Sequence, residues 1–262
     1  MYEKITKTIK LAKVRCMSEE DLLNTITTNP LSLYNKYPNE VKRLSELKLS
    51  ANAITRLKIL IDQIIVDGEK VKSKDKYKAD NYLRKLVELM PLSYQYEYAL
   101  EFIKHNRKNR REKGIQLLKY HDFNSKELEN ILGIAKRNYD MDLLKIIIRN
   151  ISIVNIIQED ILFLIYNVDD NYWKCRIIEE TIKKYGFNSF TIKIVNSNPI
   201  ATIRAMGRTE NVEYLEFIMP IIYNYFDDEE VLGLLFWALG KIKAIEIINK
   251  LELKLNAYLN VL

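Results

Sequence analysis

A pattern of small, apolar, glycine and cationic residues occurs twice in this 262-residue sequence, as Ala205-Met206-Gly207-Arg208 and as Ala238-Leu239-Gly240-Lys241. Each copy lies in an apolar pattern of helical spacing, which continues through Leu215 and Ile218 after the first copy and Ile245, Ile248 and Leu251 after the second. A helix, a tight turn and a second helix that recur in this way are typical of stacked helical repeats. The sequence therefore predicts an all-α fold, an α-solenoid of stacked antiparallel helical pairs.

Turn-forming residues are scarce, since Gly occurs 7 times and Pro 5 times in the whole chain. A β-sandwich or a barrel needs such residues at every hairpin, and no segment alternates apolar and polar residues as a half-buried strand does. Hydrophobic residues make up 48% of the sequence, which is enough for a continuous core. The composition thus favours helices joined by short connections and excludes a disordered chain.

The segment 199–218 contains the first copy of the pattern, a polar turn and then spaced apolar residues. It resembles a HEAT-like repeat of the phycobilisome-lyase type, in which the first helix ends in Ala-Leu-Gly. The stretch Phe236-Trp237-Ala238-Leu239-Gly240-Lys241-Ile242 is similar to a following repeat with a shortened turn, and residues 170–186 are a weaker candidate before both. This resemblance covers the C-terminal third. It implies a HEAT-like solenoid, an architecture shared by scaffolds, adaptors and a few enzymes.

Charge divides the chain into two parts. Residues 1–150 contain 30 Lys and Arg against 20 Asp and Glu, whereas residues 151–262 contain 11 against 15. We therefore predict a basic helical part over 1–150, in the same solenoid or packed closely on it, followed by HEAT-like repeats over 151–262. Such an asymmetry indicates an acidic partner at one end, or only a Lys-rich solvated surface.

The densest group of cations is a candidate site for nucleic acid or phosphate. On one helix, Arg107, Arg110 and Arg111 would share a face with Lys104 and could follow a phosphate backbone. The alternative is a solvated turn whose cations favour the C-terminal end of a helix. The full candidate set is Lys104, His105, Arg107, Lys108, Arg110, Arg111 and Lys113.

A second set combines acids, an aromatic ring and a cation at one helix start: Asp169, Asp170, Trp173 and Arg176. HEAT-like DNA glycosylases use such groups in a groove, but their spacing of Trp, Asp and Arg does not occur here. The alternative is a helix cap with a core Trp, because Asp commonly caps helices. For Trp237, which lies on an apolar helical face, we expect a place in the core.

Signals of cofactor or metal chemistry are missing from the sequence. The two histidines, His105 and His121, have no nearby Cys, so a zinc site is not expected. There is no Gly-rich phosphate loop and no nucleophile motif. We expect no cofactor, no metal and no enzymatic activity.

Localisation is predicted from the two cysteines and from the apolar runs. Cys16 and Cys175 lie far apart, and we expect both as buried thiols of a reducing compartment. Residues 1–15 lack the apolar segment of a signal peptide, and no apolar run approaches the roughly 18 residues that span a bilayer. The sequence therefore predicts a cytoplasmic protein with no membrane partner.

The function predicted from these observations is a non-catalytic helical-repeat scaffold that binds a protein partner on its concave surface. The alternative is nucleic-acid binding through the basic N-terminal half, as a possible relative of the HEAT-like DNA glycosylases. The last helix looks apolar on two sides, which leaves open a homo-oligomer formed through it. The residues concerned are Ile245, Ile248, Leu251, Leu255 and Leu259.

Overall fold

A computed structural model of the chain describes residues 2–28, 38–220, 222–225 and 227–259. This part contains sixteen α-helices, two short 3₁₀ helices (Val212–Tyr214 and Ile222–Tyr225) and no strand, which confirms the all-α prediction. The α-helices are α1 (Tyr2–Cys16), α2 (Glu19–Thr27), α3 (Pro38–Ser45), α4 (Ala51–Asp67), α5 (Ser73–Val87), α6 (Leu92–Ile103), α7 (Lys108–Leu118), α8 (Ser125–Asn138), α9 (Met141–Arg149), α10 (Gln158–Asn167), α11 (Asn171–Tyr185), α12 (Ser189–Ser197), α13 (Pro199–Thr209), α14 (Leu215–Ile218), α15 (Glu229–Lys241) and α16 (Ile245–Leu259). Across these described residues, no helix is both long and apolar enough to cross a membrane.

Polar side chains start many of the helices, as the sequence predicts. Asn124, Asp140, Asp170 and Asp228 each accept hydrogen bonds from free amides in the first turn of the next helix. Asp170 Oδ1, for example, lies 2.7 Å from the amide nitrogen two residues later. At the other end of α11, Gly186 adopts a φ of 65°, a conformation that favours glycine, and the helix stops there.

Two segments of the N-terminal and central chain differ from the prediction. Helix α5 begins at Ser73, within the Lys-rich stretch for which the sequence predicts a loop as far as Lys78. Helix α12 is not indicated by the sequence, since its apolar period is only two turns long. Asn188 nevertheless starts it with a full capping box, accepting from the amide of Thr191.

Two C-terminal segments also differ. The single helix expected from Asn211 to Tyr225 is broken into a 3₁₀ turn, the four-residue α14 and a second 3₁₀ turn. The apolar spacing predicts a last helix from Ile242 to Leu259, but α16 starts at Ile245, because Lys243 has a φ of 57° and separates it from α15. Helical spacing of apolar residues thus continues across both backbone breaks.

The chain forms two compact units, unit 1 (Met1–Asp122) and unit 2 (Phe123–Leu262). The predicted division at residue 150 follows charge, whereas the compact units follow packing. Helix α8 packs on α9, and α9 packs on α11, so all three belong to unit 2.

In unit 1, alternate helices contact each other as well as sequence neighbours: α2 packs on α4, and α5 packs on α7. The closest pair is α6 and α7, which meet at Gly114. A Cβ atom at Gly114 would lie 2.8 Å from the carbonyl oxygen of Ala99 and 2.9 Å from the amide nitrogen of Ile103. Glycine is therefore the residue that lets these two helices approach so closely.

In unit 2, α9, α11, α13 and α15 stack in that order, each against the next, and we refer to these four helices as the ladder. Gly207 on α13 lies under Trp237 of α15, where a Cβ atom would come within 2.3 Å of the indole Cζ3. The expectation that Trp237 lies in the core is wrong, because 42% of the residue is exposed. Its ring covers the glycine from outside. At the glycine of the second copy, Gly240, a Cβ atom would point into open space, with no neighbouring group within 4 Å.

Candidate functional site

The cations predicted as one helical face are divided by a turn. Helix α6 ends at Ile103 and α7 begins at Lys108, with Lys104 at the C-terminal cap of the first and Arg107 at the N-terminal cap of the second. The prediction that Lys104 shares a helical face with the arginines is therefore wrong. The break redirects several of the cations towards the interior of unit 1.

A buried carboxylate gathers these cations. Asp80 of α5, whose side chain is fully buried, accepts from Arg107 Nη2 at 2.7 Å and from Arg110 Nε at 2.9 Å. Asn109 Nδ2 donates to its second oxygen at 2.9 Å. Glu69 binds the same two arginines, at 2.5 Å from Arg107 Nη1 and 3.1 Å from Arg110 Nη1. We call these five residues the Asp80 network.

The electrostatics of the network favour an ionised Asp80. Burial opposes the charge, but hydrogen bonds from Asn109, Arg107 and Arg110, with the attraction of Arg110, outweigh it and lower the pKa of the carboxyl. The neighbouring His105 has a lowered pKa because of burial and then the repulsion of Arg110. With 2% of its side chain exposed, Arg110 is held by anions inside the protein.

The other members of the predicted set divide into internal and exposed cations. Arg111 Nη1 donates to the backbone oxygens of His105 and Asn106, at 3.0 and 2.7 Å, and so binds the carbonyls of the turn. Lys113 is buried with its ammonium 5.4 Å from the centre of the Tyr77 ring. Lys104 and Lys108 are exposed and make no ion pair with any described residue.

The second predicted set lies at the start of α11, on the ladder. Asp169 is exposed, while the carboxylate of Asp170 caps the helix. Trp173 is half-buried and lies 5.0 Å edge-on from Tyr172. The guanidinium of Arg149, from α9, lies 5.4 Å from the centre of the Trp173 indole, within the range of a cation–π contact. The indole thus lies between two helices of the ladder, with a cation over its face.

Arg176 lies on the outer side of the ladder. On the same helix, Trp173 faces α9 through Arg149, and Glu179 faces α13 through an ion pair with Arg208. At 3.6 residues per turn, position 176 falls between these two faces, away from both neighbouring helices. Its side chain is half-buried at the surface.

Arg204 has the corresponding place on α13. Gly207 faces α15 through Trp237, and Arg208 faces α11 through Glu179, so position 204 is directed outward between them. Arg149, Arg176 and Arg204 therefore come from three consecutive helices of the ladder. We call them the arginine row.

Three carboxylates of α9 and α11 already have cationic partners. Glu179 pairs with Arg208, Glu180 Oε2 lies 3.9 Å from Lys183 Nζ, and Asp142 Oδ1 lies 3.5 Å from Lys145 Nζ. No ion pair joins any member of the arginine row to the residues that the structure describes. Three guanidinium groups at this surface thus retain donors for an external acceptor.

Cys175 lies buried below this surface and has no activated thiol. Burial, followed by the nearby Glu179, raises the pKa of the thiol, whose sulfur lies 3.1 Å from the Glu179 carboxylate. A nucleophilic cysteine needs the opposite shift. Cys16 is also unpaired but is exposed, so the expectation that both thiols are buried is wrong for this residue. Among the described residues, no three His, Cys, Asp or Glu side chains gather as metal ligands would.

The predicted self-association surface on α16 is mixed. Ile245 and Leu253 are exposed and Leu251 is buried, while Ile248 and Leu255 are partly covered. The side chain of Leu259 lies outside the described residues. A homo-oligomer formed through this helix stays a prediction.

The sequence reasoning missed two members of the arginine row, Arg149 and Arg204. Both could have been found from spacing, because Arg149, Arg176 and Arg204 follow one another at intervals of 27 and 28 residues. An identical residue once per repeat is the pattern expected for a shared position on stacked helices. A criterion based on the local density of cations selects residues 104–113 instead.

Comparison with known proteins adds no family. No family model matches the sequence, and no curated protein matches it. Among solved structures, a crystal structure of a de novo designed helical repeat protein is similar at 12% identity, with 95% of this chain and 96% of that chain covered and a TM-score of 0.14. A TM-score this low does not indicate a shared fold.

Proposed function

We propose that this protein is a non-catalytic helical-repeat scaffold that binds a protein partner on the outer face of the ladder. The observation that supports this is the arginine row, three guanidinium groups without an ionic partner among the described residues, flanked by Trp173 and Trp237. Arg, Trp and Tyr are the residue types that dominate binding energy at protein interfaces. Stacked helices present them over an extended surface, which suits a macromolecule better than a small molecule.

We also propose that the ladder is HEAT-like and that the protein acts in the cytoplasm. Support for the first comes from Gly207 of the Ala-x-Gly pattern, whose missing side chain admits Trp237 from the next ladder helix. Support for the second comes from the two free cysteines, which suit a reducing compartment.

The test compares two variants that each reverse two cations without an ion pair to any described residue. Arg176→Glu/Arg204→Glu changes the arginine row, and Lys104→Glu/Lys108→Glu makes the same charge change in unit 1. Each full-length variant is used to capture partners from nuclease-treated native extract, after circular dichroism has shown unchanged helicity. We expect the arginine-row variant to lose the captured protein and the unit 1 variant to retain it. Equal capture by both variants contradicts the proposal.

The alternative partner is a nucleic acid bound by unit 1. Residues 1–122 contain 25 Lys and Arg against 16 Asp and Glu, and Lys104 and Lys108 are exposed. If this alternative holds, affinity for DNA or RNA falls steeply with salt, and Lys104→Glu/Lys108→Glu weakens it. Because the Asp80 network occupies Arg107 and Arg110, we expect a shallow salt dependence and weak binding.

A further inference from the structure

The arginine row has a chemistry that selects carboxylates. A guanidinium group offers a planar fork of donors that binds a carboxylate through two parallel hydrogen bonds. Arg149, Arg176 and Arg204 retain this capacity, whereas Arg208 on the same surface is already paired with Glu179. A ligand that spans the row therefore needs one acidic group for each of three helices.

The spacing of the row selects the conformation of the ligand. Packed helices lie about 8–10 Å apart, so the backbone positions of successive arginines are separated by about that distance across the ladder. A polyproline II peptide has three residues per turn and rises about 3.1 Å per residue, which places every third side chain on one face about 9 Å apart. Same-face side chains of a β-strand repeat at about 6.6 Å and do not match.

Aromatic rings flank the row and suit the same ligand. Trp173 lies against Arg149 with Tyr172 at its edge, and the Trp237 ring lies over Gly207, three residues after Arg204 on α13. Proline-rich segments dock on surfaces lined by aromatic rings, because the polyproline II conformation loses little entropy on binding. The ladder thus combines aromatic rings that can contact proline with guanidinium groups that can bind carboxylates.

The charge of unit 2 favours a short acidic peptide over a nucleic acid. Residues 123–262 contain 16 Lys and Arg against 19 Asp and Glu. Asp227, Asp228, Glu229 and Glu230 are all exposed at the start of α15, the ladder helix that follows α13. A long polyanion would meet this repulsion along its length, whereas a peptide with three carboxylates in register meets only the three arginines.

Resting on the proposed function, we infer that the arginine row binds an extended, proline-rich segment of the partner that carries Asp or Glu at every third residue. Trp173 and Trp237 hold the residues between the acids. The arginine row selects peptides by the spacing of their acidic residues, with one acidic residue bound by the arginine of each of α9, α11 and α13.

The test uses the full chain and synthetic peptides in isothermal titration calorimetry. The probe is an acetylated and amidated twelve-residue peptide of four Glu-Pro-Pro triplets. A second peptide has the same composition with its four Glu residues adjacent, and a single-stranded DNA oligonucleotide is the polyanion control. We expect the triplet peptide to bind about tenfold or more tightly than the clustered peptide, the size of one lost charge-assisted contact.

Three variants locate the binding. We expect Arg176→Glu to abolish binding of the triplet peptide. Arg176→Lys keeps the charge but loses the fork, so it should reduce affinity about tenfold. Lys104→Glu, in unit 1, is expected to leave affinity unchanged.

Each alternative result of these experiments contradicts a specific part of the inference or of the proposed function. Equal affinity for the two peptides contradicts selection by spacing, and tighter binding of the oligonucleotide through the same arginines contradicts the peptide assignment. If neither peptide binds while capture from extract still depends on the row, the inference fails and the proposed function stands. If the Arg176→Glu/Arg204→Glu variant still captures the protein partner from extract, both the inference and the proposed function fail.

Discussion

In unit 1, arginines that are neighbours in sequence turn inward to Asp80 and Glu69, whereas in unit 2 arginines from three separate helices stay at the surface. Both regions are rich in guanidinium groups. The difference lies in the position of the carboxylates. Unit 1 places a fully buried carboxylate on α5 against its arginines, whereas on α9 and α11 of the ladder three carboxylates pair with other cations. Where the carboxylates lie, and not the local density of cations, decides which arginines are available for binding.

The largest effect that would test this comparison is the loss of the buried carboxylate. Asp80→Ala leaves Arg110 buried without its closest anion, so we expect the free energy of unfolding to fall by about 3–5 kcal/mol. Asp142→Ala, which removes an exposed partner of Lys145 from the ladder, should cost less than about 1 kcal/mol. Urea denaturation followed by circular dichroism measures both. Similar losses for the two variants would show that Asp80 is no more important than a surface acid.

The next effect concerns the close approach of α6 and α7. In Gly114→Ala the new methyl group meets the backbone of Ala99 and Ile103, which cannot yield as a side chain does, and we expect a loss of about 1–3 kcal/mol. Gly133→Ala is the matched control in α8, since that position is open and alanine is the better helix former by about 1 kcal/mol. Thermal melts should therefore shift in opposite directions. A neutral Gly114→Ala would contradict the tight packing of α6 on α7.

A smaller effect is expected at the ladder. In Gly207→Ala the methyl group meets the ring of Trp237, which is partly exposed and can swing outward, so the cost should be about 1 kcal/mol. Displacement of the ring should also move its fluorescence emission to longer wavelength. Gly240→Ala, at the same place in the second copy of the pattern, faces open space and should leave the spectrum unchanged. Identical spectra for the two variants would remove the packing role of Gly207.

The smallest effect is the dependence of stability on pH. A carboxyl whose pKa is lowered by folding stabilises the protein above its ordinary value of 3.8 and loses that contribution as pH falls through the folded pKa. Between pH 7 and pH 4, Asp80 should therefore contribute a change below about 1 kcal/mol, and the larger loss should follow at lower pH. Comparing the wild type with Asp80→Asn isolates this contribution, because the raised pKa of Glu101 acts in the opposite direction in both proteins. Parallel pH profiles would contradict the assignment.

Local features of the fold could be predicted from the sequence. The sequence predicts helix starts at Asn124 and Asp170 and a helix end at Gly186, because these signals act within a few residues, and the structure confirms all three. Helix α12 escapes prediction because two turns give too few apolar residues to establish a period. The breaks around residues 211–225 and at Lys243 depend on backbone conformations that apolar spacing does not report.

The candidate sites depend on non-local contacts to different degrees. Arg110 is directed inward by Asp80, which lies thirty residues earlier. No pattern in the sequence around either residue predicts that pairing. The exposed place of Trp237 likewise follows from a glycine on the preceding ladder helix. The arginine row is visible in principle, because its regular spacing is a property of the repeat itself.

Arg107, Asn109 and Arg110 all donate to the one carboxylate of Asp80. That arrangement constrains how the chain can drift during evolution. Losing the acid first leaves the buried Arg110 with Glu69 as its remaining anion, and losing Arg110 first leaves the buried acid with Arg107 and Asn109, so each single step lowers stability. Descendants of this protein should therefore keep the acid and its arginine together or exchange both for apolar residues in one lineage, a covariation that exposed cations such as Lys104 and Lys108 need not obey.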